Sequence, residues 1–333
     1  MKQIGSAGRL GGLMGRSALP GLLACLLAGM VPHAALAQDF PNKPVRIVLP
    51  YGPGQAPDTL TRAVAQELNK ATGQTFFIDN KTGADGVVAF EYVANQLPAD
   101  GYTMVVAATS GLATLALTTK GLRFDPTRDL PPLVNMVEGK YAFAVPASLP
   151  YKTFNELVAF IKANPGKTNY GSSNSTIHLQ SEALMRALGL NVVYVPYRAS
   201  NNYLQAIATA EVQMGFTSEG SILNLGQRAR VLAATGATRS TKFPDAQTFV
   251  ELNLPDIRGL SYMINLRNGT PKPLFDRLES LVLAAMRTPD VRAAAAKLGL
   301  DPVAHPAAVA AKQLADEARV YGQVARQINL QPE

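Results

Sequence analysis

Three loops of this sequence carry residue types that can hold a small anion. The first runs from Pro50 to Asp58, between a predicted strand and a predicted helix. Ligands of open α/β sheets bind at the carboxyl ends of the strands, where a glycine-containing loop exposes backbone amides at the positive end of a helix. A plain turn in which Asp58 caps the helix is the alternative. The candidate ligand-binding residues here are Tyr51, Gly54, Gln55, Ala56 and Asp58.

The second loop is rich in hydroxyl and amide side chains and also joins a predicted strand to a predicted helix. Such side chains either cap the helix or donate hydrogen bonds to a carboxylate, so we expect about half of them to face a ligand. The candidates are Ser172, Ser173, Asn174, Ser175 and Thr176.

The third group follows two later strands and consists of Tyr197, Arg198 and Thr217. Tyr197 offers a flat apolar face with a polar tip. Arg198 can hold a carboxylate through two hydrogen bonds, or it can be a solvated loop charge. The sequence leaves both roles of Arg198 open.

Catalytic and cofactor motifs are hard to find. The sequence contains no H-E-x-x-H, no G-x-S-x-G, no G-x-G-x-x-G and no G-x-x-x-x-G-K-[ST]. These absences favour binding without turnover, with no metal and no cofactor. A hydrolase or isomerase that pairs His178 with a serine of residues 172–175 is the alternative, although a lone histidine in the first turn of a helix is more often structural.

The N-terminus has the pattern of a secretory signal. Lys2, Arg9 and Arg16 precede an apolar stretch, and Ala35-Leu36-Ala37 forms a small-x-small cleavage site. We therefore predict a signal peptide of residues 1–37, cleavage after Ala37 and a periplasmic location.

The single cysteine, Cys25, lies inside this segment. The sequence Leu22-Leu23-Ala24-Cys25 also resembles a lipoprotein cleavage box, which would leave a lipid-anchored protein. With cleavage after Ala37 the mature chain has no cysteine, which excludes disulfides and thiolate chemistry.

The charge balance favours a small anion over nucleic acid as partner. The formal charge of the chain is +7, and loss of the three basic residues of the signal lowers it to +4. No run of Lys and Arg is interleaved with aromatic residues, so a nucleic-acid partner is not expected.

Strand and helix patterns alternate along almost the whole chain, which is typical of parallel sheets covered by helices. The 296 residues that follow Ala37 are enough for two domains. No low-complexity linker separates the halves, so we expect the chain to cross between them more than once, with hinge strands near Val145 and Tyr262. The tail from Pro273 to Asn329 reads as helical, with breaks near Pro302 and Pro306.

Short motifs in a fixed order make the chain resemble a family of bacterial receptors. It resembles the Bug-type receptors of tripartite tricarboxylate transporters over essentially all of the mature sequence. The motifs are Phe40–Arg46, Pro53–Asp58 with Arg62, Asp79–Gly86, Pro98–Thr103, Phe124-Asp125-Pro126 with Asp129, Asn164–Lys167, His178-Leu179 with Glu182, Val195–Arg198 and Phe243-Pro244-Asp245.

This resemblance implies a periplasmic-binding-protein fold with two Rossmann-like domains and a ligand cleft between them. Domain 1 would comprise residues 38–141 and 262–333, and domain 2 residues 142–261. The implied function is a non-enzymatic, monomeric solute-binding receptor that delivers a small carboxylate to the membrane permease of a tripartite tricarboxylate-type transporter. A partner of a membrane sensor is an alternative that the sequence does not separate from transport.

The departures from the family concern the ligand site. The family usually has two glycines where this chain has Gly54-Gln55, and a Lys-Gly pair where it has Arg198-Ala199. The acidic residue that is usual near Thr217 is absent, which makes an α-amino acid ligand less expected. We expect a mono- or dicarboxylate, including aromatic acids, with Arg198 setting a preference for a second carboxylate.

Overall fold

The alternating strands and helices form two lobes, each built on its own β-sheet. The computed structural model describes residues 40–197, 199–236, 238–254, 257 and 259–332. Within these residues, no helix combines the length and the apolar character that crossing a lipid bilayer requires.

The first lobe is built on a six-stranded sheet. The strands are β1 (Val45–Leu49), β2 (Phe76–Asn80), β3 (Thr103–Ala108), β4 (Pro132–Gly139), β11 (Leu260–Leu266) and β12 (Asp301–Pro306). Their order is β12-β4-β11-β3-β1-β2, and β1 is parallel to both of its neighbours. The first strand therefore lies in the sheet interior, as right-handed crossovers predict.

The second lobe contains a four-stranded and a two-stranded sheet. The strands are β5 (Tyr141–Pro146), β6 (Asn169–Ser172), β7 (Val193–Pro196), β8 (Gly215–Ser218), β9 (Ala229–Ala234) and β10 (Gln247–Thr248). The four-stranded sheet has the order β10-β9-β5-β8, and β6 pairs with β7. The amide of Gly171 donates to the carbonyl of Met214 at 3.2 Å, which joins the two sheets.

Helices cover the sheets of both lobes. They are α1 (Ala56–Thr72), α2 (Val87–Glu91), α3 (Thr109–Thr118), α4 (Pro126–Asp129), α5 (Phe154–Ala163), α6 (Ser175–Ala187), α7 (Ser200–Ala208), α8 (Glu219–Leu225), α9 (Lys272–Met286), α10 (Pro289–Lys297) and α11 (Ala307–Gln327). In α1 the residues Leu60, Val64 and Leu68 lie on one face of the helix and are fully buried in the core of the first lobe.

The sheets are mixed rather than parallel throughout, which differs from the sequence expectation. Strands β5 and β11 run antiparallel to the neighbours with which they pair, and β12 runs antiparallel to β4. The segment between Pro302 and Pro306 is also not a simple helix break. It forms the edge strand β12, where a proline that cannot donate to a ladder is tolerated.

The chain crosses between the lobes twice, and the two crossings touch. Gly139 is the last residue of β4 and lies next to the start of β5. It pairs with Leu260, which is the first residue of β11. A Cβ atom on Gly259 would overlap the carbonyl oxygen of Gly139. The two connections therefore pack backbone against backbone. The residue bounds of the two domains stay a prediction.

Candidate functional site

A cavity of about 510 Å³ lies between the two lobes. The first and second loops of the sequence analysis both line it, so they share one crevice. The predicted residues in its wall are Tyr51 and Gln55 from the first lobe and Ser173, Asn174, Ser175 and Thr176 from the second.

The N-terminus of α3 also lines this cavity, through Ala108, Ser110 and Gly111. No side chain caps this helix at its N-cap residue, Ala108. Amides in the first turn of a helix have no partner within the helix and attract anions. Sequence reasoning missed this element, although Thr109-Ser110-Gly111 follows a buried strand just as the two predicted loops do.

Three tyrosines form the floor of the cavity: Tyr51, Tyr141 and Tyr262. Burial raises the pKa of each phenol, so all three remain protonated and able to donate at neutral pH. The hydroxyl of Tyr51 accepts from the Ala108 amide at 2.9 Å, which leaves its own hydrogen to donate.

Helix α6 of the second lobe contacts the first lobe beside the cavity. The hydroxyl oxygens of Thr176 and Thr114 are 3.0 Å apart, and the amide of Gln180 donates to the Tyr321 hydroxyl at 2.7 Å. Leu179 is fully buried in the apolar core of the first lobe. The two lobes are therefore in contact beside the cavity, with one face of α6 packed on the opposite lobe.

Asp58 stabilises the conformation of the first loop through hydrogen bonds. Its carboxylate is 1% exposed and accepts hydrogen bonds from the Gly54 amide at 2.9 Å, from Asn80 at 3.0 Å and from Arg62 at 2.9 Å. Burial by itself would raise the pKa of Asp58, but the hydrogen bonds from Arg62, Asn80 and Gly54 lower it below its ordinary value. The loop conformation thus depends on an ionised Asp58.

We expect Asp58→Asn to lower the free energy of unfolding by about 2 kcal/mol at pH 7, because the charged hydrogen bonds of the carboxylate are lost. A lowered pKa in the folded state stabilises the protein above the unfolded-state pKa, and this contribution disappears as the pH falls through the folded-state pKa. The difference between variant and wild type, measured by urea unfolding, should therefore shrink below about pH 4. An equal difference at pH 7 and at about pH 3 would contradict the ionic role.

Four further candidates from the sequence do not line this cavity: Gly54, Ala56, Ser172 and Thr217. The Gly54 amide is used by Asp58, and Ala56 begins α1. Ser172 is buried, with its hydroxyl 3.0 Å from that of Tyr194, and Thr217 is buried in β8. Arg198 lies outside the described residues. The ligand-binding roles of all these residues stay predictions.

A second cavity of about 850 Å³ adjoins the first and is lined by His178, Tyr194 and Tyr197. The His178 ring stacks on Tyr194 with ring centres 3.9 Å apart. The Nδ1 atom of His178 lies 3.0 Å from the Tyr170 hydroxyl. Tyr197 donates to Glu211 at 2.8 Å. His178 is thus held within an aromatic stack.

Charge in the wall of the first cavity is sparse. Among the described residues that line it, Asp85 is the one that carries a formal charge at neutral pH. The described part of the chain also contains no group of three or more side chains suited to hold a metal ion. The donors available to an anion in this wall are therefore neutral amides, hydroxyls and phenols.

Comparison with known proteins gives the family and supports the fold. The model of the tripartite tricarboxylate transporter family receptor matches residues 60–330. The UPF0065 protein in the gbd 5′ region of Cupriavidus necator is 31% identical over 290 residues, which cover 86% of this chain and 88% of that protein.

Solved structures agree with this match. Rpa4515 of R. palustris, solved with adipate, is 27% identical with a TM-score of 0.77 and covers 89% of this chain and 100% of its own. The periplasmic binding protein BugD is 20% identical with a TM-score of 0.74, covering 88% and 100%. These likenesses confirm the predicted periplasmic-binding-protein fold with two lobes.

Receptors of this family are periplasmic solute-binding proteins and not enzymes, which confirms the prediction of binding without turnover. The resemblance that the short motifs indicated is confirmed as well. This chain belongs to the receptor family of the tripartite tricarboxylate transporters, the Bug family.

Proposed function

We propose that this receptor captures a small carboxylate in the cavity between its lobes. The observation that carries the proposal is that two helix N-termini, those of α3 and α6, line the wall of the same crevice. A carboxylate there accepts hydrogen bonds from first-turn amides and from hydroxyls of the loop 173–176, without a paired cation.

One part of the cavity wall is especially suited to bind a ligand carboxylate. The Tyr51 hydroxyl and the uncapped N-terminus of α3 lie side by side, since the Ala108 amide donates to that hydroxyl. An oxygen placed between them gains a phenol donor and amide donors from the same direction. Adipate, the acid bound by Rpa4515, shows that a structural relative accommodates a linear carboxylate of six carbons.

The receptor would act in the periplasm after cleavage at Ala37, as a monomer, and would deliver its ligand to the permease of a tripartite tricarboxylate-type transporter. The family membership supports this role. The packing of Leu179 and Thr176 on the first lobe supports recognition of a form in which the lobes are in contact.

The test is a thermal-shift screen of the purified mature protein against linear, branched and aromatic mono- and dicarboxylic acids, with neutral sugars and amines as controls. A ligand at one hundred times its dissociation constant should stabilise the native state by about 2.7 kcal/mol, which raises the melting temperature visibly. A screen in which sugars or amines raise the melting temperature and no acid does would contradict the proposal.

A further inference from the structure

A four-residue loop with unusual backbone angles follows β2 and reaches the mouth of the cavity. Gly83, Ala84, Asp85 and Gly86 all have positive φ, with values of 129°, 45°, 50° and 94°. A Cβ atom on Gly86 would lie 2.6 Å from the Phe90 ring. The close packing and the left-handed turns fix the direction in which Asp85 leaves the loop.

The Asp85 carboxylate spans the gap between the lobes. Its Oδ2 atom accepts a hydrogen bond at 3.0 Å from the hydroxyl of Ser175, the first residue of α6. A negative charge is stabilised at a helix N-terminus, so this contact holds the carboxylate in place. Asp85 therefore occupies one of the positions at which a ligand anion would otherwise accept hydrogen bonds.

Asp85 and Ser175 also stand where the two cavities meet. Both residues line the first cavity, of about 510 Å³, and the second, of about 850 Å³. Because Tyr51, the N-terminus of α3 and Asp85 all line the first cavity, we expect a ligand whose carboxylate lies near Tyr51 to place its far end near Asp85. That far end meets a fixed negative charge and a hydrogen-bond acceptor.

We propose that Asp85 sets the ligand specificity of this receptor. It favours molecules that carry one carboxylate and, at the other end, a hydrogen-bond donor such as a hydroxyl or an ammonium group, and it disfavours dicarboxylates. The proposal rests on the carboxylate-binding function proposed above. It opposes the sequence-based hypothesis that Arg198 attracts a second carboxylate.

The negative charge of Asp85 determines which ligands bind more tightly. A second carboxylate near Asp85 brings two like charges together, and it also competes for the Ser175 hydroxyl. A donor in the same place gains a charge-assisted hydrogen bond. Because Asp85 is exposed at the cavity mouth, solvent screens the effect, and we expect a preference of about tenfold rather than a complete exclusion.

The variant Asp85→Asn removes the negative charge and keeps the size of the side chain. Asparagine tolerates the left-handed conformation that Asp85 adopts, and its amide oxygen can still accept from Ser175. The matched control is Asp276→Asn, which removes the same charge from an exposed position on α9 outside both cavities.

The probes are four acids of equal length: hexanoate, 6-hydroxyhexanoate, 6-aminohexanoate and adipate. Isothermal titration of the wild type should give tighter binding of the hydroxy and amino acids than of adipate. In Asp85→Asn the affinity for adipate relative to 6-hydroxyhexanoate should rise about tenfold, which corresponds to about 1.4 kcal/mol. The ratio should not change in Asp276→Asn.

Either of two results would contradict the specificity proposal without contradicting the carboxylate-binding function. One is tighter binding of adipate than of 6-hydroxyhexanoate by the wild type, with a loss confined to adipate in Arg198→Ala. The other is an equal effect of Asp85→Asn on all four probes. If none of these acids binds, and none of the linear, branched or aromatic acids of the thermal-shift screen binds either, the carboxylate-binding function itself is contradicted.

Discussion

A Tyr51→Phe variant should bind the acid identified in the screen about ten- to a hundredfold more weakly than the wild type. In the proposed complex the Tyr51 hydroxyl donates to the ligand carboxylate, and hydrogen bonds to charged groups contribute about 1.5–3 kcal/mol. The substitution also leaves the Ala108 amide without its acceptor. The dissociation constant from isothermal titration is the measurement.

The control for Tyr51→Phe is Tyr102→Phe. The Tyr102 hydroxyl donates to Asn42 at 2.7 Å and lies outside the cavity, so this variant should bind the acid like the wild type. Equal affinities for the wild type and Tyr51→Phe would remove the phenol from the binding site. Because burial raises the pKa of Tyr51, its contribution should not vary between about pH 6 and pH 8.

Gly259→Ala should lower the free energy of unfolding by about 3 kcal/mol, a fall in melting temperature of roughly 8 °C. The added methyl group would overlap the carbonyl oxygen of Gly139. This neighbour is backbone in the other interlobe crossing, so it cannot turn aside as a flexible side chain can. Calorimetry of the two proteins without ligand measures the difference.

Gly322→Ala is the matched control. Gly322 lies within α11, where a Cβ atom would meet only the end of the Arg326 side chain at 3.6 Å. Replacing a glycine in a helix by alanine should stabilise the protein by about 0.5–1 kcal/mol. If Gly259→Ala melts like the wild type, the two crossings have room to separate.

Much of the fold follows from local patterns in the sequence. The spacing of Leu60, Val64 and Leu68 is typical of one face of a helix and indicates α1, and the short apolar runs of β1, β3 and β5 are typical of buried strands. The strand β12 could not be predicted in this way. The run from Asp301 to Pro306 contains two polar residues and two prolines, and it becomes a strand only because β4 offers it a free edge.

Part of the candidate site could also be predicted from the sequence. The loops with polar side chains after β1 and β6 were found, because hydroxyls and amides at strand ends are visible in a sequence. Asp85 was not, since its importance depends on which loop of the opposite lobe faces it. Tyr141 and Tyr262 were also missed as wall residues, because each reads as an apolar residue of a buried strand.

The return of the chain to the first sheet has a consequence for the order of assembly. The strands that flank β4 are β11 and β12, which end at Leu266 and Pro306, more than a hundred residues further along the chain. The first lobe therefore cannot complete its sheet until nearly all of the polypeptide has been synthesised. Pairing between such distant segments slows folding. We therefore expect a chain with this topology to fold more slowly than one in which each lobe is a contiguous segment.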